Sequence, residues 1–228
     1  MPKPKRLARD LPLPAQSRFL WWVEPPVIRA VGRAFLSLQI ERQAILPPPP
    51  FVVASNHYSH FDSPAIAAAL DLPIRYLALE DLFDVNPLLD WLIDGFGAIP
   101  TPRDRLPYGA LRVALGRLAA GEAIGVFPEA TRVSHWGTLP PKRGAAWLSV
   151  RAEVPLVPVA VIGTGRAFGL DNRLRRAQIR IVIGEAMSHK DTDATVLTKR
   201  WADWMTSQIS RYPGSETSGP RRAYHGGT

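Results

Sequence analysis

Residues 51–70 read FVVASNHYSHFDSPAIAAAL, two apolar runs with a polar insert between them. FVVAS, rich in β-branched residues, reads as a strand. SPAIAAAL reads as a helix, with Asp62 or Ser63 at its N-cap and Pro64 in its first turn. The insert therefore sits where a strand end runs into a helix N-terminus. His57 and Asp62 lie five residues apart, which would put them on different faces of a continuous helix, so a turn is needed to bring them together. The strand-to-helix junction supplies it. Asp62 can then accept the Nδ1 proton of His57 and leave Nε2 free as a general base. No G-x-S-x-G nucleophile motif occurs in the chain, so the attacking hydroxyl has to come from a substrate. Three plainer roles stand beside this one: Asp62 as a helix cap only, His57 as a core or loop histidine, or His57, His60 and Asp62 as metal ligands. Zinc is disfavoured because His135, His189 and His225 form no further cluster and cysteine is absent.

Outward from this stretch, strands and helices alternate. IRYLAL is a strand, DVNPLLDWLIDG a helix ending at Gly95, and GAIPT a short strand. YGALRVALGRLAAG is an amphipathic helix stopped by Gly121, and AIGVF a strand. A helix near AAWLSVRAE, strands LVPVAVIGT and QIRIVIG, and a last helix over residues 192–211 complete the series. The pattern predicts an α/β fold: a single domain with a largely parallel β-sheet flanked by helices. An N-terminal amphipathic helical segment precedes it. The domain spans residues 47–212, after a basic N-terminal part over 1–46 and before a Gly/Ser-rich tail over 213–228 expected to be disordered.

Within the N-terminal part, residues 1–14 are basic, Pro-rich and expected to be poorly ordered. Residues 18–40, RFLWWVEPPVIRAVGRAFLSLQI, suggest a helix, a break at Pro25-Pro26 and a second helix. Val27, Ile28, Val31, Phe35 and Leu38 share one face of the second helix. With Trp21, Trp22 and the arginines at 18, 29 and 33, this suits a membrane-interface anchor; packing of an ordinary N-terminal helix on the core stays equally open.

The chain has 228 residues, a formal charge of +8 and a pI near 10.3, which favours an anionic partner. MPKPKRLARDLPLP lacks the apolar centre of a secretory signal, and no run approaches the ~18 apolar residues of a bilayer span. Absence of cysteine removes disulfide and thiol chemistry and suits the cytosol.

N-H-x-S-x-x-D, here Asn56 to Asp62, resembles the first motif of the glycerolipid acyltransferases of the 1-acylglycerol-3-phosphate acyltransferase type. Three further motifs follow in family order. GAIPTPR (97–103) resembles the second and closes on Arg103. Phe127-Pro128-Glu129-Ala130-Thr131-Arg132 resembles F-P-E-G-T-R, and Val154–Val159 resembles V-P-x-x-P-V. KRG (142–144) fits the basic stretch before the next helix. The resemblance covers roughly residues 45–190. It implies His57 as general base, Asp62 as its orienting partner, and Arg103, Glu129, Ala130, Thr131 and Arg132 at a glycerol-phosphate acceptor site. Ala130 replaces the family glycine, and Arg105 competes with Arg103 as the phosphate ligand.

What the resemblance implies is a membrane-associated O-acyltransferase on the cytoplasmic face of the cell membrane, peripheral or monotopic. It would move a fatty acyl group from acyl-CoA or acyl carrier protein to 1-acyl-glycerol-3-phosphate, a lysophospholipid acceptor, giving phosphatidic acid. The thioester is a co-substrate, and no metal or other cofactor is expected. Other acceptors of the same chemistry are a different lysolipid, an ornithine lipid, a glycolipid or a carotenoid. The rival of another class is a non-catalytic basic module binding anionic membrane or nucleic acid. No nucleic-acid motif is present, so nucleic acid is not an expected partner.

Overall fold

The computed structural model describes residues 15–83, 87–103, 107–168, 173 and 175–213. Of the two tails expected to lack order, 1–14 and 213–228, all but residue 213 lies outside the described residues, as does Arg105. Helix α1 (Ala15–Phe35) leads into strand β1 (Gln39–Arg42). There follow β2 (Val52–Ser55), α2 (Asp62–Leu70), β3 (Ile74–Leu79), α3 (Pro87–Gly95), β4 (Ile99–Thr101), α4 (Tyr108–Ala119) and β5 (Ala123–Val126). The chain continues through α5 (Gly144–Ala152), β6 (Leu156–Ile162), the short α6 (Thr164–Ala167), β7 (Arg180–Ile183) and α7 (Ala194–Ser210).

Seven strands make one sheet in the order β1-β7-β6-β2-β5-β3-β4. Every pairing is parallel except β6 with β7. The central strands β2, β5 and β6 are buried along their whole length, as expected where helices cover both faces. On one face Ala114 and Leu118 of α4, Leu148 of α5, and Trp201 and Met205 of α7 pack on Ala54, Ile124 and Leu156. On the other, Ala65, Ile66 and Ala69 of α2 pack on Val53, Ile74 and Val159.

The α/β architecture and largely parallel sheet match the sequence expectation, and the N-terminal helix is present. Two details differ. First, α1 runs unbroken through Pro25 and Pro26. Each proline removes one backbone N–H, but helices in proteins owe most of their stability to packing. Here Leu20, Pro25, Gly32 and Leu36 are buried against the domain. Second, the chain just after α1 joins the sheet as its edge strand, β1, pairing with β7 in register Gln39 to Arg180. QIER carries too little apolar alternation to announce this. Leu38 folds back over Gly32, where a Cβ would lie 2.8 Å from its Cδ2.

Candidate active site

β2 and β5 are parallel neighbours, paired Ala54 to Val126, so their carboxyl ends open at the same edge of the sheet. Ligands of open α/β sheets bind at such an edge. The loop after β2 carries Asn56–Phe61 and the loop after β5 carries Phe127–Arg132. Two backbone bonds pin the second loop: Val133 N–H donates to His57 O at 2.9 Å, and Lys142 N–H to Pro128 O at 2.8 Å. The KRG stretch is thus tied to the FPEATR turn.

Each polar residue of the first loop has a defined task. Asn56 is fully buried and grips β6: its Nδ2 donates to Val161 O at 2.7 Å, and Val161 N–H donates to its Oδ1 at 2.8 Å. The side chain continues the β2–β6 ladder one step past the strand end. Ser59 Oγ donates to Phe168 O at 2.5 Å and accepts from Phe61 N–H at 3.0 Å, closing the turn that brings Asp62 back towards His57.

Asp62 is fully buried. Its Oδ2 lies 2.9 Å from His57 Nδ1 and accepts Tyr58 N–H at 2.7 Å and Ser59 N–H at 2.8 Å. The N-cap of α2 is Phe61, without a side-chain cap bond, and Asp62 is the first helical residue. The expected capping by Asp62 or Ser63 is therefore replaced: the carboxylate turns back to the preceding loop. A carboxylate on Nδ1 selects the tautomer with Nε2 unprotonated. The His57 ring is 16% exposed and stacks on Phe127, centroids 3.9 Å apart and planes 11° apart. One ring face is fixed while the Nε2 edge stays reachable.

Glu129 turns inward rather than towards an open pocket. It is 2% exposed, and its Oε2 accepts the His57 backbone N–H at 2.6 Å. Burial pushes its pKa up to about 8, the His57 N–H bond opposes that, and the Asp62 charge adds to it. It is a neutral acid over most of the physiological range and holds the His57 backbone in place. Ala130 takes φ 58°, the left-handed region in which the family glycine costs nothing. Thr131 and Arg132 are half-buried. Desolvation, then the charges of Arg132 and His57, lower the pKa of neighbouring His60 to about 4 against the pull of Asp62. Arg103, half-exposed, donates from Nε to Asp81 Oδ2 at 2.7 Å and joins none of the described bonds around His57. The structure thus brings His57, Asp62, Glu129 and Arg132 together around two loops.

A cavity of about 390 Å³ opens beside His60, bounded by α1, α2, β3 and α3. Its lining is mainly apolar, including Ala67, Ile74, Leu92 and Phe96. Sequence reading did not anticipate it, nor the stack of His57, Phe127 and Tyr76, because its walls are remote in the chain. The one available signal was Glu24, the sole acidic residue of α1. Among the described residues no group of His, Cys, Asp and Glu is arranged to hold a metal ion.

A His–Asp pair at the carboxyl edge of a largely parallel sheet, near an apolar cavity, is an arrangement able to take a proton from a bound hydroxyl. Residues 37–162 match the Acyltransferase family model, more than half of the chain, and the protein belongs to that family. It is 28% identical over 142 residues to the 1-acyl-sn-glycerol-3-phosphate acyltransferase of Bacillus subtilis (strain 168), covering 62% of this chain and 68% of that one. It is 34% identical over 120 residues to the human 1-acyl-sn-glycerol-3-phosphate acyltransferase alpha, covering 50% of this chain and 41% of that one. The match spans less than half the length of the plant, algal and mammalian relatives. The fold is that of the 1-acyl-sn-glycerophosphate (LPA) acyltransferase PlsC from Thermotoga maritima, with a TM-score of 0.70 at 21% identity over 86% of this chain and 80% of that one.

Proposed function

We propose that this enzyme transfers a fatty acyl group from a thioester, acyl-CoA or acyl carrier protein, to the free hydroxyl of 1-acyl-glycerol-3-phosphate, giving phosphatidic acid. The observation that carries this reading is the Asp62 Oδ2 to His57 Nδ1 bond of 2.9 Å, in a loop whose His60 lines an apolar cavity. His57 Nε2 takes the proton of the acceptor hydroxyl as its oxygen attacks the thioester carbonyl. Asp62 stabilises the imidazolium that forms. The tetrahedral intermediate collapses, the C–S bond breaks, and the thiolate leaves with the proton from His57. A thioester is already activated, so the scheme needs no metal or redox group.

The cavity beside His60 suits the acyl chain, being apolar and close to the base. Arg132 is the favoured partner of the acceptor phosphate, through charge-assisted hydrogen bonds. Arg103 has to leave Asp81 to serve the same end. The acceptor is a lipid, so the site has to work at a bilayer surface. Supporting this, α1 exposes Phe19, Trp22, Val27, Val31 and Phe35, with Arg33 among them. No helix among the described residues is long and apolar enough to cross a membrane. The enzyme would sit on the cytoplasmic face with α1 in the headgroup region, while Trp21 and Glu24 of the same helix line the cavity.

The test is one labelled acyl donor against a panel of lysophosphatidate, neutral lysolipids, a lyso-ornithine lipid and glycolipids. His57-dependent formation of phosphatidic acid is expected. Transfer only to a phosphate-free acceptor would overturn the assignment of the acceptor while leaving the chemistry standing. Replacing Trp22 and Phe35 by Ser should release the protein from anionic vesicles in a co-sedimentation assay; undiminished binding would place the membrane surface elsewhere.

A further inference from the structure

The cavity is apolar in most of its wall, yet three of the residues that line it, Trp21, Glu24 and Tyr76, carry buried polar atoms without a partner among the described residues. Trp21 Nε1, both carboxyl oxygens of Glu24 and the Tyr76 hydroxyl are buried without a hydrogen-bond partner among the described residues. Buried polar groups are almost always paired, so three such side chains on one cavity need an explanation. A loose wall does not provide it, because the rings are fixed by packing. Tyr76 is 9% exposed, stacks on Phe127 with centroids 5.3 Å apart, and lies over Gly125, where any Cβ would meet its Cε1 at 2.3 Å. Trp21 packs edge-on against Phe96, centroids 5.0 Å apart.

A plain hydrocarbon chain in this cavity would leave all of these atoms unpaired. A chain bearing a hydroxyl would not, since a hydroxyl both donates and accepts. It can accept from the Trp21 indole or the Tyr76 hydroxyl and donate to a Glu24 oxygen. Burial raises the Glu24 pKa to about 8 against the pull of Arg29, so at neutral pH this group is an uncharged acid that also donates and accepts. Tyr76 stands nearest the proposed base: a single ring, Phe127, separates it from His57, and His60 lines the same cavity.

We propose that the cavity selects an acyl thioester whose chain carries a hydroxyl near its carbonyl end, held by Tyr76, Glu24 and Trp21. This rests on the reading of the cavity as the acyl-chain site. A pocket built to hydrogen-bond a substrate hydroxyl discriminates against the analogue that lacks it far more strongly than an apolar pocket rejects an extra one. For a cavity open at one end, a preference of roughly 10–100-fold in kcat/KM is expected.

The experiment has two arms on the full-length protein. In the first, β-hydroxyacyl-CoA, ω-hydroxyacyl-CoA and unsubstituted acyl-CoA of equal length compete for lysophosphatidate, and product ratios are read by mass spectrometry. In the second, calorimetry compares binding of the same thioesters to the His57→Ala protein, which does not turn them over. The β-hydroxy donor should win in both arms, and Tyr76→Phe and Glu24→Leu should each bring its advantage close to unity. Equal use and equal binding of the three donors overturns the proposal and leaves the acyltransferase reading intact, as does a preference that survives both substitutions. Tight, Tyr76-dependent binding of the β-hydroxy thioester without transfer to lysophosphatidate upholds the proposal and removes that acceptor instead.

Discussion

Replacing Asp62 by Asn tests the relay with little change of shape. The carboxylate has two separable duties. It accepts Tyr58 and Ser59 N–H at 2.7 and 2.8 Å, which shapes the loop, and it faces His57 Nδ1 at 2.9 Å, the contact on which the proposed relay rests. An amide oxygen can keep the loop bonds, though without charge assistance, at a cost of about 1 kcal/mol each. That lowers the melting temperature by roughly 4–8 °C for a chain of this size. The catalytic loss is larger. With charge centres ~4 Å apart and an effective dielectric constant of ~20, the carboxylate stabilises the imidazolium by about 4 kcal/mol. Removing that should lower kcat by about 10³-fold. Because the interaction strengthens only as the proton arrives, KM for both substrates should stay within a few-fold. The assay is steady-state transfer of a labelled acyl group to lysophosphatidate, with circular dichroism to confirm the fold. A folded Asp62→Asn protein with more than a tenth of normal kcat would refute the reasoning and leave Asp62 a structural residue of the loop.

Ala130→Gly should stabilise the protein by about 0.5–1 kcal/mol, because φ 58° costs alanine more than the added chain freedom costs glycine; thermal unfolding should show a rise of about 1–4 °C, and a fall would mean the methyl group is held by packing. Arg132→Ala should raise KM for a phosphate-bearing acceptor at least tenfold, the loss of about 1.5–3 kcal/mol expected for a charge-assisted contact, with little change for the donor. Arg103→Ala, half-exposed and engaged by Asp81, should act several-fold more weakly; the reverse order would move the phosphate to Arg103. The Glu24 carboxyl has its folded pKa raised from 4.5 to about 8, so its contribution to stability is full below about pH 4.5 and is lost as pH rises to about 8. Glu129 acts in the same direction, whereas His60, lowered to about 4, costs stability as pH falls below 6.5. Melting temperatures across this range should therefore fall less steeply towards alkaline pH in Glu24→Gln than in the wild type; parallel profiles would mean that Glu24 titrates as an ordinary surface carboxylate.

Much of this was legible in the chain itself. Strand FVVAS, helix SPAIAAAL and the polar insert between them place His57 and Asp62 on one junction, because the periods of strand and helix and a five-residue spacing are local properties. Four motifs in order pointed to the family, and the regular alternation of elements pointed to the parallel sheet. The sequence was less informative wherever a residue's task depends on a distant partner. Glu129 reads as an acceptor ligand in FPEATR, but lies 72 residues from the backbone N–H it accepts. Pro25-Pro26 reads as a break, because local propensity omits the packing that carries α1 through it.

By itself, then, the sequence determined most of the elements, the fold class and the closeness of His57 to Asp62, all set by neighbours a few residues apart. Only the tertiary structure decided that β7 runs against β6, that β1 closes the sheet edge, and that Trp21, Glu24 and Tyr76 line one cavity. An apolar period tells which face of an element is buried, not what it is buried against. Helix α1 packs on α2 and α3, and the cavity that these helices enclose with β3 is a property of that packing.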